Sequence, residues 1–248
     1  MKYRLIKTRI APVIFWILVW QIAAMAVNQS LLIPIPTPVT TIRSFAGMLA
    51  DPAYLTAAVF SVIRILIGFI CALAAGTILA ALCVRFKVFG ILISPLLQVI
   101  RAIPVASFTI LVFLWVSRGK IPSTISFFTV LPIVWANIES GLRAFDKDLL
   151  EMARVFGMKN GKVFKEIMLP GIRPFFSAAV NSGIGFAWKS GIAAEVICRT
   201  QNSLGNMLWA GKTGVDYDRV FALTLLIVIL SMAVQYAAKK FFGKGNSQ

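Results

Sequence analysis

Residues 65 to 84 read ILIGFICALAAGTILAALCV, a run of mostly apolar residues without a charged side chain. A helix rises about 1.5 Å per residue, so a run of this length can cross the ~30 Å hydrocarbon core of a bilayer. In lipid the backbone amides and carbonyls must be paired within the segment itself, which favours a helix. The stretch therefore predicts a membrane-spanning helix, and the pattern recurs along the chain.

The overall composition is that of a protein whose solvent is largely lipid. Hydrophobic residues make up 59% of the 248 residues and charged residues only 14%, whereas a soluble domain carries about 25% charged residues. So few charged side chains leave too little polar surface to cover a soluble globule. We therefore predict an all-α, polytopic membrane protein with a single transmembrane domain over residues 1–248.

Five further apolar runs bring the predicted number of spans to six. With 65–84, the spans cover residues 10–27, 89–117, 121–138, 174–197 and 220–238. Arg101 and Pro104 interrupt the third span, and the fifth carries Lys189 and Glu195. The first run has an alternative interpretation, because basic residues precede it and Ala24-Met25-Ala26 resembles a signal-peptidase site. Its length and its Trp and Phe content favour a retained helix.

The distribution of basic residues predicts the orientation. Six spans place both termini on one side; if that side is the cytoplasm, the inside segments hold 16 Lys and Arg residues and the outside segments hold 6. Of the remaining three, Arg64 lies at the outer edge of the second span, and Arg101 and Lys189 lie within spans. Cytoplasmic segments carry the excess of basic residues in membrane proteins. Both termini are therefore predicted to be cytoplasmic.

Several functions are disfavoured by composition. The chain has no histidine, which removes His-dependent catalysis and His-ligated metal sites. Cys71, Cys83 and Cys198 form no CxxC motif and are expected to be small packing residues. The net charge of +16 is spread between apolar runs and does not form one patch. No nucleic-acid partner is therefore predicted.

The segment between the first two spans combines prolines with an amphipathic pattern. Residues 34–38 read PIPTP, and alternating prolines favour extended chain. Ile42, Phe45 and Leu49 then recur on one face of a short helix. That helix is expected to lie on the outer membrane surface or to serve only as a connector.

The long loop on the predicted cytoplasmic side, residues 143–173, carries the most specific motif. Residues 150–157 read LEMARVFG, and after nine more residues positions 167–170 read IMLP. The pattern predicts two short helices separated by a bend, the first ended by Gly157 through a positive φ. A turn is expected at Asn160-Gly161.

The two loop helices have predicted faces and ends. Leu149, Met152, Ala153 and Phe156 fall on one face of the first helix at helical spacing. The second helix is expected to end at Pro170.

This loop resembles the EAA loop of permeases of bacterial ATP-binding-cassette (ABC) importers. That pattern is Glu-Ala-Ala, three residues, Gly, nine residues, then Ile-x-Leu-Pro. The positions that match it are Glu151, Ala153, Gly157, Ile167, Leu169 and Pro170. Met152 departs from the pattern at its middle position.

The resemblance extends over nearly the whole chain and is closest to the nitrate, sulfonate, taurine and bicarbonate branch. The matching segments are the outer proline segment, Ser61-x-x-Arg64-x-x-x-Gly68-Phe69, Pro95-x-x-Gln98-x-x-Arg101-x-Ile103-Pro104, Asn137-x-x-x-Gly141, and Ala187-Trp188 with Ala193-Ala194-Glu195. Trp115-Val116-Ser117 departs from the usual Trp-Phe-Gly of the branch, which leaves the substrate open.

The resemblance implies a type I importer permease in the bacterial plasma membrane, working by alternating access. Two permease subunits, by default two copies of this chain, would form the path. Separate ABC ATPase subunits would bind ATP and Mg²⁺, and an external solute-binding protein or lipoprotein would deliver the solute. The residues implied to couple to the ATPase are Glu151, Met152, Ala153, Phe156, Gly157, Ile167, Leu169 and Pro170.

No catalysis and no cofactor are expected in this chain. Gly211-Lys212-Thr213 looks like the end of a phosphate-binding loop, but the position that requires the first glycine holds Asn206. ATP hydrolysis is therefore expected on another chain.

Three ionisable residues inside the spans are candidates for the translocation path: Arg101, Lys189 and Glu195. Charged groups at membrane depth are costly and face protein or water. A cation on the path favours an anionic cargo, although Lys189 also fits a salt bridge or a side chain that reaches the outer interface. In the same span, Gly183, Ala187 and Gly191 form a small-residue stripe that predicts close helix packing.

Two other classes of function remain as alternatives. A gradient-driven secondary transporter or channel would explain the spans and the intramembrane charges, but not the spacing in the 143–173 loop. An integral membrane enzyme would lack the usual acid–base pairs. Within the importer class, a vitamin precursor is an alternative cargo.

Overall fold

The structure, a computed structural model, describes residues 2–27, 35–145 and 147–242. Within these ranges all regular secondary structure is helical, which confirms the predicted all-α class. The helices are α1 (Lys2–Val27), α2 (Pro38–Ala50), α3 (Pro52–Arg85), α4 (Lys87–Ala102), α5 (Val105–Phe113), α6 (Ile121–Arg143), α7 (Lys147–Val155), α8 (Asn160–Val163), α9 (Leu169–Cys198), α10 (Leu204–Thr213) and α11 (Tyr217–Phe242). A π-helical turn, Phe164–Met168, joins α8 to α9.

The longest helix, α3, contains the 65–84 stretch and begins well before it. Oδ1 of Asp51 accepts a hydrogen bond of 2.9 Å from the amide of Ala53, and Pro52 occupies the first turn, where its missing N–H costs nothing. The helix has 34 residues and is therefore about 51 Å long. It is longer than a hydrocarbon core is thick, so it must tilt or project beyond it.

The core of the described part lies where α3, α6 and α9 pack together. Ile65, Val130 and Ile184 are almost completely buried there. Gly68 of α3 lies against the backbone of Ser123 in α6, and a side chain at this position would overlap the Ser123 carbonyl. Close backbone approach of this kind is how helices associate in lipid, where hydrophobic burial alone gives little driving force.

The small-residue stripe of α9 packs against protein, as predicted. A Cβ at Gly191 would collide with Ile65 of α3, and one at Gly183 would press on Val130 and Phe69. Ala187, between them, is completely buried. The stripe therefore allows α9 to lie close to α3 and α6.

The predicted third span, 89–117, is not one straight helix. It is divided into α4 and α5, which meet at an angle of 103° across a break at Ile103 and Pro104. Proline clashes with a helical conformation of the preceding residue, and Ile103 is accordingly extended, with ψ of 128°. The interruption predicted at Arg101 and Pro104 is thus a sharp bend, and α5 ends at Phe113, before the predicted end of the span.

Three helices in the described ranges, α3, α6 and α11, are long and apolar enough to cross a membrane, or four if α4 and α5 count as one broken span. The apolar part of α1, Ala11–Val27, is shorter. The predicted span 174–197 lies within α9, which does not reach the same apolarity because it carries glycines, serines and three charged residues, Arg173, Lys189 and Glu195. A helix surrounded by protein does not need an apolar surface. The six-span count and the cytoplasmic termini stay predictions.

Helices α1 and α2 lie at the edge of this core. Nε1 of Trp20 in α1 donates a hydrogen bond of 3.1 Å to the carbonyl of Pro36, and its ring stacks on Phe221 of α11. The predicted amphipathic helix is α2, but its buried side carries Thr41 and Met48. Ile42 and Leu49, of the predicted apolar face, are 60% and 48% exposed.

Candidate functional site

The 143–173 loop begins with α7, whose end depends on a glycine. Gly157 has a φ of 65°. Around it the amide of Met158 donates to the carbonyl of Ala153 at 2.9 Å, and the amide of Phe156 donates to the carbonyl of Met152 at 3.0 Å. The bond from Met158 back to Ala153, five residues earlier, around a residue with positive φ is the Schellman arrangement. The prediction that Gly157 ends this helix through a positive φ is confirmed.

Helix α7 presents apolar side chains to the outside. The α7 surface, as we define it, consists of Leu149, Met152, Val155 and Phe156, which are 44%, 48%, 84% and 77% exposed. Glu151 is exposed beside them. Ala153, which the helical spacing places on the same face, is completely buried, so it adds nothing to the exposed surface. Clustered exposed apolar side chains mark an interaction surface.

The second half of the loop runs without a break into α9. Asn160 begins α8, the π turn follows, and Leu169 and Pro170 lie in the first turn of α9. The prediction that Pro170 ends a helix is therefore wrong. Pro170 can continue the helix because it follows the π turn. The wider backbone of a π turn accommodates the proline ring and its missing N–H, which would disrupt a regular helix. Ile167 is half-buried, whereas Leu169 is 51% exposed.

A cavity of about 420 Å³ opens beside the break between α4 and α5. We call it the Arg101 cavity. Its described lining residues are Ile100, Arg101, Ile103, Val105, Phe108, Phe128, Thr129, Ile133, Asn137, Ser182 and Phe186. The break at Pro104 turns the chain so that both the last turn of α4 and the first turns of α5 face the same space.

The Arg101 cavity combines one cation with hydrogen-bonding groups and aromatic rings. The amide nitrogen of Asn137 donates to the carbonyl of Ile133 at 2.8 Å, which leaves its Oδ1 available. Phe108 and Phe128 contact each other edge to face, with ring centroids 5.4 Å apart. A cation with polar groups beside aromatic walls is a common constitution for a small-molecule site.

The other two candidates for the path lie elsewhere. Lys189 is exposed on α9 and is not among the described residues that line the Arg101 cavity. Glu195 is completely buried near the end of α9. Its Oε2 accepts hydrogen bonds from Oγ of Ser61 at 2.8 Å and from the amide of Gly205 at 3.2 Å. The structure thus brings Arg101 to a cavity and places Glu195 inside a helix junction.

Several lining residues of the Arg101 cavity were not singled out as path residues from the sequence. Thr129, Ile133 and Asn137 follow each other at intervals of four residues in α6, which places them on one helix face. That spacing was available as a signal. Ser182 and Phe186 of α9 show the same interval, but nothing local indicates that the two faces meet.

Comparison with known proteins identifies what this chain is similar to. Residues 65–242 match the family model described as "Binding-protein-dependent transport system inner membrane component". A putative ABC transporter permease protein of Methanocaldococcus jannaschii is 24% identical over 91% of this chain and 87% of its own length. The putative aliphatic sulfonates transport permease protein SsuC of Bacillus subtilis is 24% identical over 92% and 82%. The nitrate import permease protein NrtB of Synechococcus elongatus is 24% identical over 64% and 59%.

Solved structures share the fold at low sequence identity. A bacterial ABC transporter involved in the import of the acidic polysaccharide alginate aligns with a TM-score of 0.65 at 13% identity, over 99% of this chain and 97% of that chain. An amino acid ABC transporter aligns with a TM-score of 0.62 at 18% identity, over 80% and 95%. At these identities the likeness concerns the arrangement of helices.

Proposed function

Because this chain belongs to the family of binding-protein-dependent transport system inner membrane components, we propose that its Arg101 cavity forms part of the path along which a small anionic solute enters the cell. The chain is a permease subunit of an ABC importer and a multi-pass protein of the bacterial inner membrane.

The presence of Arg101 in the cavity is the observation that carries the proposal. Arg101 lies on the last turn of α4 and lines the cavity, and its guanidinium stays charged at any physiological pH. A cation beside low-dielectric aromatic walls attracts anions more strongly than a cation in bulk water does. Asn137, Thr129 and Ser182 add groups that can hydrogen-bond an anionic solute.

The nature of the relatives is consistent with this cargo. Two of them are named for nitrate and for aliphatic sulfonates, which are both anions. A vitamin precursor remains the alternative, and it is disfavoured by a fixed positive charge unless it carries an acidic group. An external binding protein would deliver the solute, since the family is named for that dependence.

Coupling to ATP hydrolysis would pass through the α7 surface. Its exposed apolar side chains suit a groove on a separate ATPase subunit, which would hold the ATP and Mg²⁺. The chain then continues through α8 and the π turn into α9, and α9 contributes Ser182 to the Arg101 cavity. Movement of α7 with the ATPase would therefore be transmitted to a helix that lines the path, as alternating access requires.

Two copies of this chain would enclose the path. One copy does not fully enclose the Arg101 cavity, and twofold symmetry is the commonest arrangement of subunits. A homodimer would place two Arg101 side chains around a common axis. A second, different permease subunit is the alternative.

Uptake measurements on Arg101 variants test the proposal. The importer is reconstituted in proteoliposomes, and uptake of labelled nitrate and of an alkanesulfonate is measured beside ATP hydrolysis. Arg101→Gln should lower uptake at least about tenfold while assembly is unchanged, and Arg101→Lys should retain most of the activity. Uptake at the native rate by Arg101→Gln would show that Arg101 has no role in the path.

A further inference from the structure

A second hollow lies apart from the Arg101 cavity, where the ends of α3 and α6 meet the π turn and the start of α9. Its volume is about 640 Å³, and we call it the π-turn hollow. Its walls include Ile138 and Leu142 of α6, Met168 of the π turn, and Ile172 and Phe176 of α9. Leu169 and Pro170 of the coupling loop also line it, but the proposed transport cycle places no ligand in this space.

The π-turn hollow contains very little polar surface. Among its described lining residues only Thr77 and Arg173 have polar side chains. The hydroxyl of Thr77 donates a hydrogen bond of 2.7 Å to the carbonyl of Leu73, so it has no proton left to donate to a ligand in the hollow. Arg173 is exposed and forms no ion pair with any residue that the structure describes. The hollow is therefore an apolar space with a single cation on its wall.

Further cations surround this side of the molecule. Lys162 of α8 and Lys165 of the π turn are exposed. The ring of Phe242 lies 5.9 Å from that of Phe176, which brings the end of α11, with its exposed Lys239 and Lys240, to the same side.

The acidic side chains of this region neutralise only part of this positive charge. Oε1 of Glu139 accepts from Arg143 at 2.7 Å and is thus already paired. Glu166 of the π turn is exposed among the lysines. The region as a whole favours an anion near the opening of the hollow.

We propose that the π-turn hollow binds an acyl chain of an anionic phospholipid whose headgroup is held by Arg173. Protein interiors are close-packed, and a large apolar hollow excludes water but accepts apolar ligands. The ligand must therefore be apolar where it fills the hollow and negative where it meets Arg173, and a phospholipid from the surrounding bilayer has this constitution. Basic pockets between membrane helices bind anionic headgroups in the same manner.

The position of the hollow gives the bound lipid a defined contact. Phe164 and Met168 of the π turn line it, so the acyl chain would lie against the connection between α7 and α9. The lipid would fill space beside the π turn, the part of this connection between α8 and α9 that is not an α-helix.

Native mass spectrometry of the intact importer, including its ATPase, tests the proposal. The complex is released from nanodiscs that contain phosphatidylglycerol and phosphatidylcholine in equal amounts. We expect phosphatidylglycerol to be retained in preference to phosphatidylcholine. Arg173→Gln should lower its retention about fivefold, the effect of one basic residue on an anionic lipid. Ile172→Trp, which fills the hollow, should release both lipids.

Arg143→Gln is the matched control, because it removes a cation on the same side that does not line the hollow. It should leave lipid retention unchanged. Equal retention in Arg173→Gln and the native complex would overturn the proposal, and so would an equal loss in Arg143→Gln, which indicates diffuse surface charge. Lipid bound to the isolated chain but absent from the complete complex would show that a partner segment fills the hollow. Because Arg173 is exposed, its substitution decides the matter even if Ile172→Trp does not fold.

Discussion

Oγ of Ser61 in α3 donates a hydrogen bond of 2.8 Å to Oε2 of Glu195 in α9, although the two residues are 134 positions apart. The same hydroxyl accepts from the amide of Leu204 at 3.0 Å, and Oε2 of Glu195 also accepts from the amide of Gly205. Ser61 and Glu195 thus join α3 and α9 to the first turn of α10.

Replacing Glu195 should show whether this junction stabilises the fold. Glu195→Ala leaves the Ser61 hydroxyl and the Gly205 amide without their buried acceptor, at a cost of about 1–3 kcal/mol in unfolding free energy. Glu195→Gln keeps an acceptor oxygen and should cost less. Thermal unfolding of the purified chain in detergent measures both, with Glu166→Ala, an exposed acid, as the control. A transport defect in Glu195→Gln with unchanged stability would indicate that Glu195 acts in the translocation path.

The positive φ of Gly157 leads to a prediction about coupling. In Gly157→Val a β-branched side chain would have to adopt φ of 65°, a strain of about 1–3 kcal/mol, so the end of α7 should rearrange. We expect normal insertion and loss of substrate-stimulated ATP hydrolysis in the reconstituted complex. Gly161→Val is the matched control, because a Cβ there meets open space and its φ is ordinary. Full stimulation in Gly157→Val would refute the coupling role.

The α7 surface can be tested without disturbing the fold. Ala153 is buried, so its substitution would mix local packing with docking, whereas Phe156 is 77% exposed. Phe156→Asp should reduce copurification of the ATPase and its stimulation by at least about tenfold, as the loss of an apolar anchor in an interface does. Val215→Asp, at an apolar position outside the loop that is 65% exposed, should have no such effect. Undiminished copurification with Phe156→Asp would exclude this surface as the docking site.

Lys189 is the second cation proposed for the translocation path. It is exposed on α9 between the buried Trp188 and Ser190, and an unpaired cation in lipid would be costly. We expect Lys189→Met to assemble and hydrolyse ATP but to lower anion uptake about tenfold, with Lys189→Arg retaining activity. Failure of Lys189→Met to assemble would assign a structural role, and uptake at the native rate would remove Lys189 from the path.

Two neighbouring positions of α9 test its packing. Ala187 is completely buried and Phe186 is 55% exposed, so Phe186→Cys should react readily with a lipid-soluble maleimide and Ala187→Cys should not. The exposed Cys71 is first replaced by serine, since Cys83 and Cys198 are buried. Comparable labelling at both positions would mean that the stripe does not face protein.

Much of the local structure could be predicted because its causes lie within short segments. Gly157 ends α7 for a reason that involves only its own backbone and its neighbours. The stripe in α9 was readable because a period of four residues defines one helix face. The structure overturned the prediction at Pro170, whose effect depends on the π turn before it, and it showed that the interruption predicted at Pro104 is a sharp bend.

The sequence by itself determined that the chain is helical and suited to lipid, and where its loop motif lies, because apolarity, periodicity and backbone pairing act within each segment. The tertiary structure alone decided that Arg101 faces a cavity and that Ala153 is buried. It also decided that Glu195 is bound by Ser61. These facts depend on which helix faces meet, and that is set by the packing of side chains far apart in the chain.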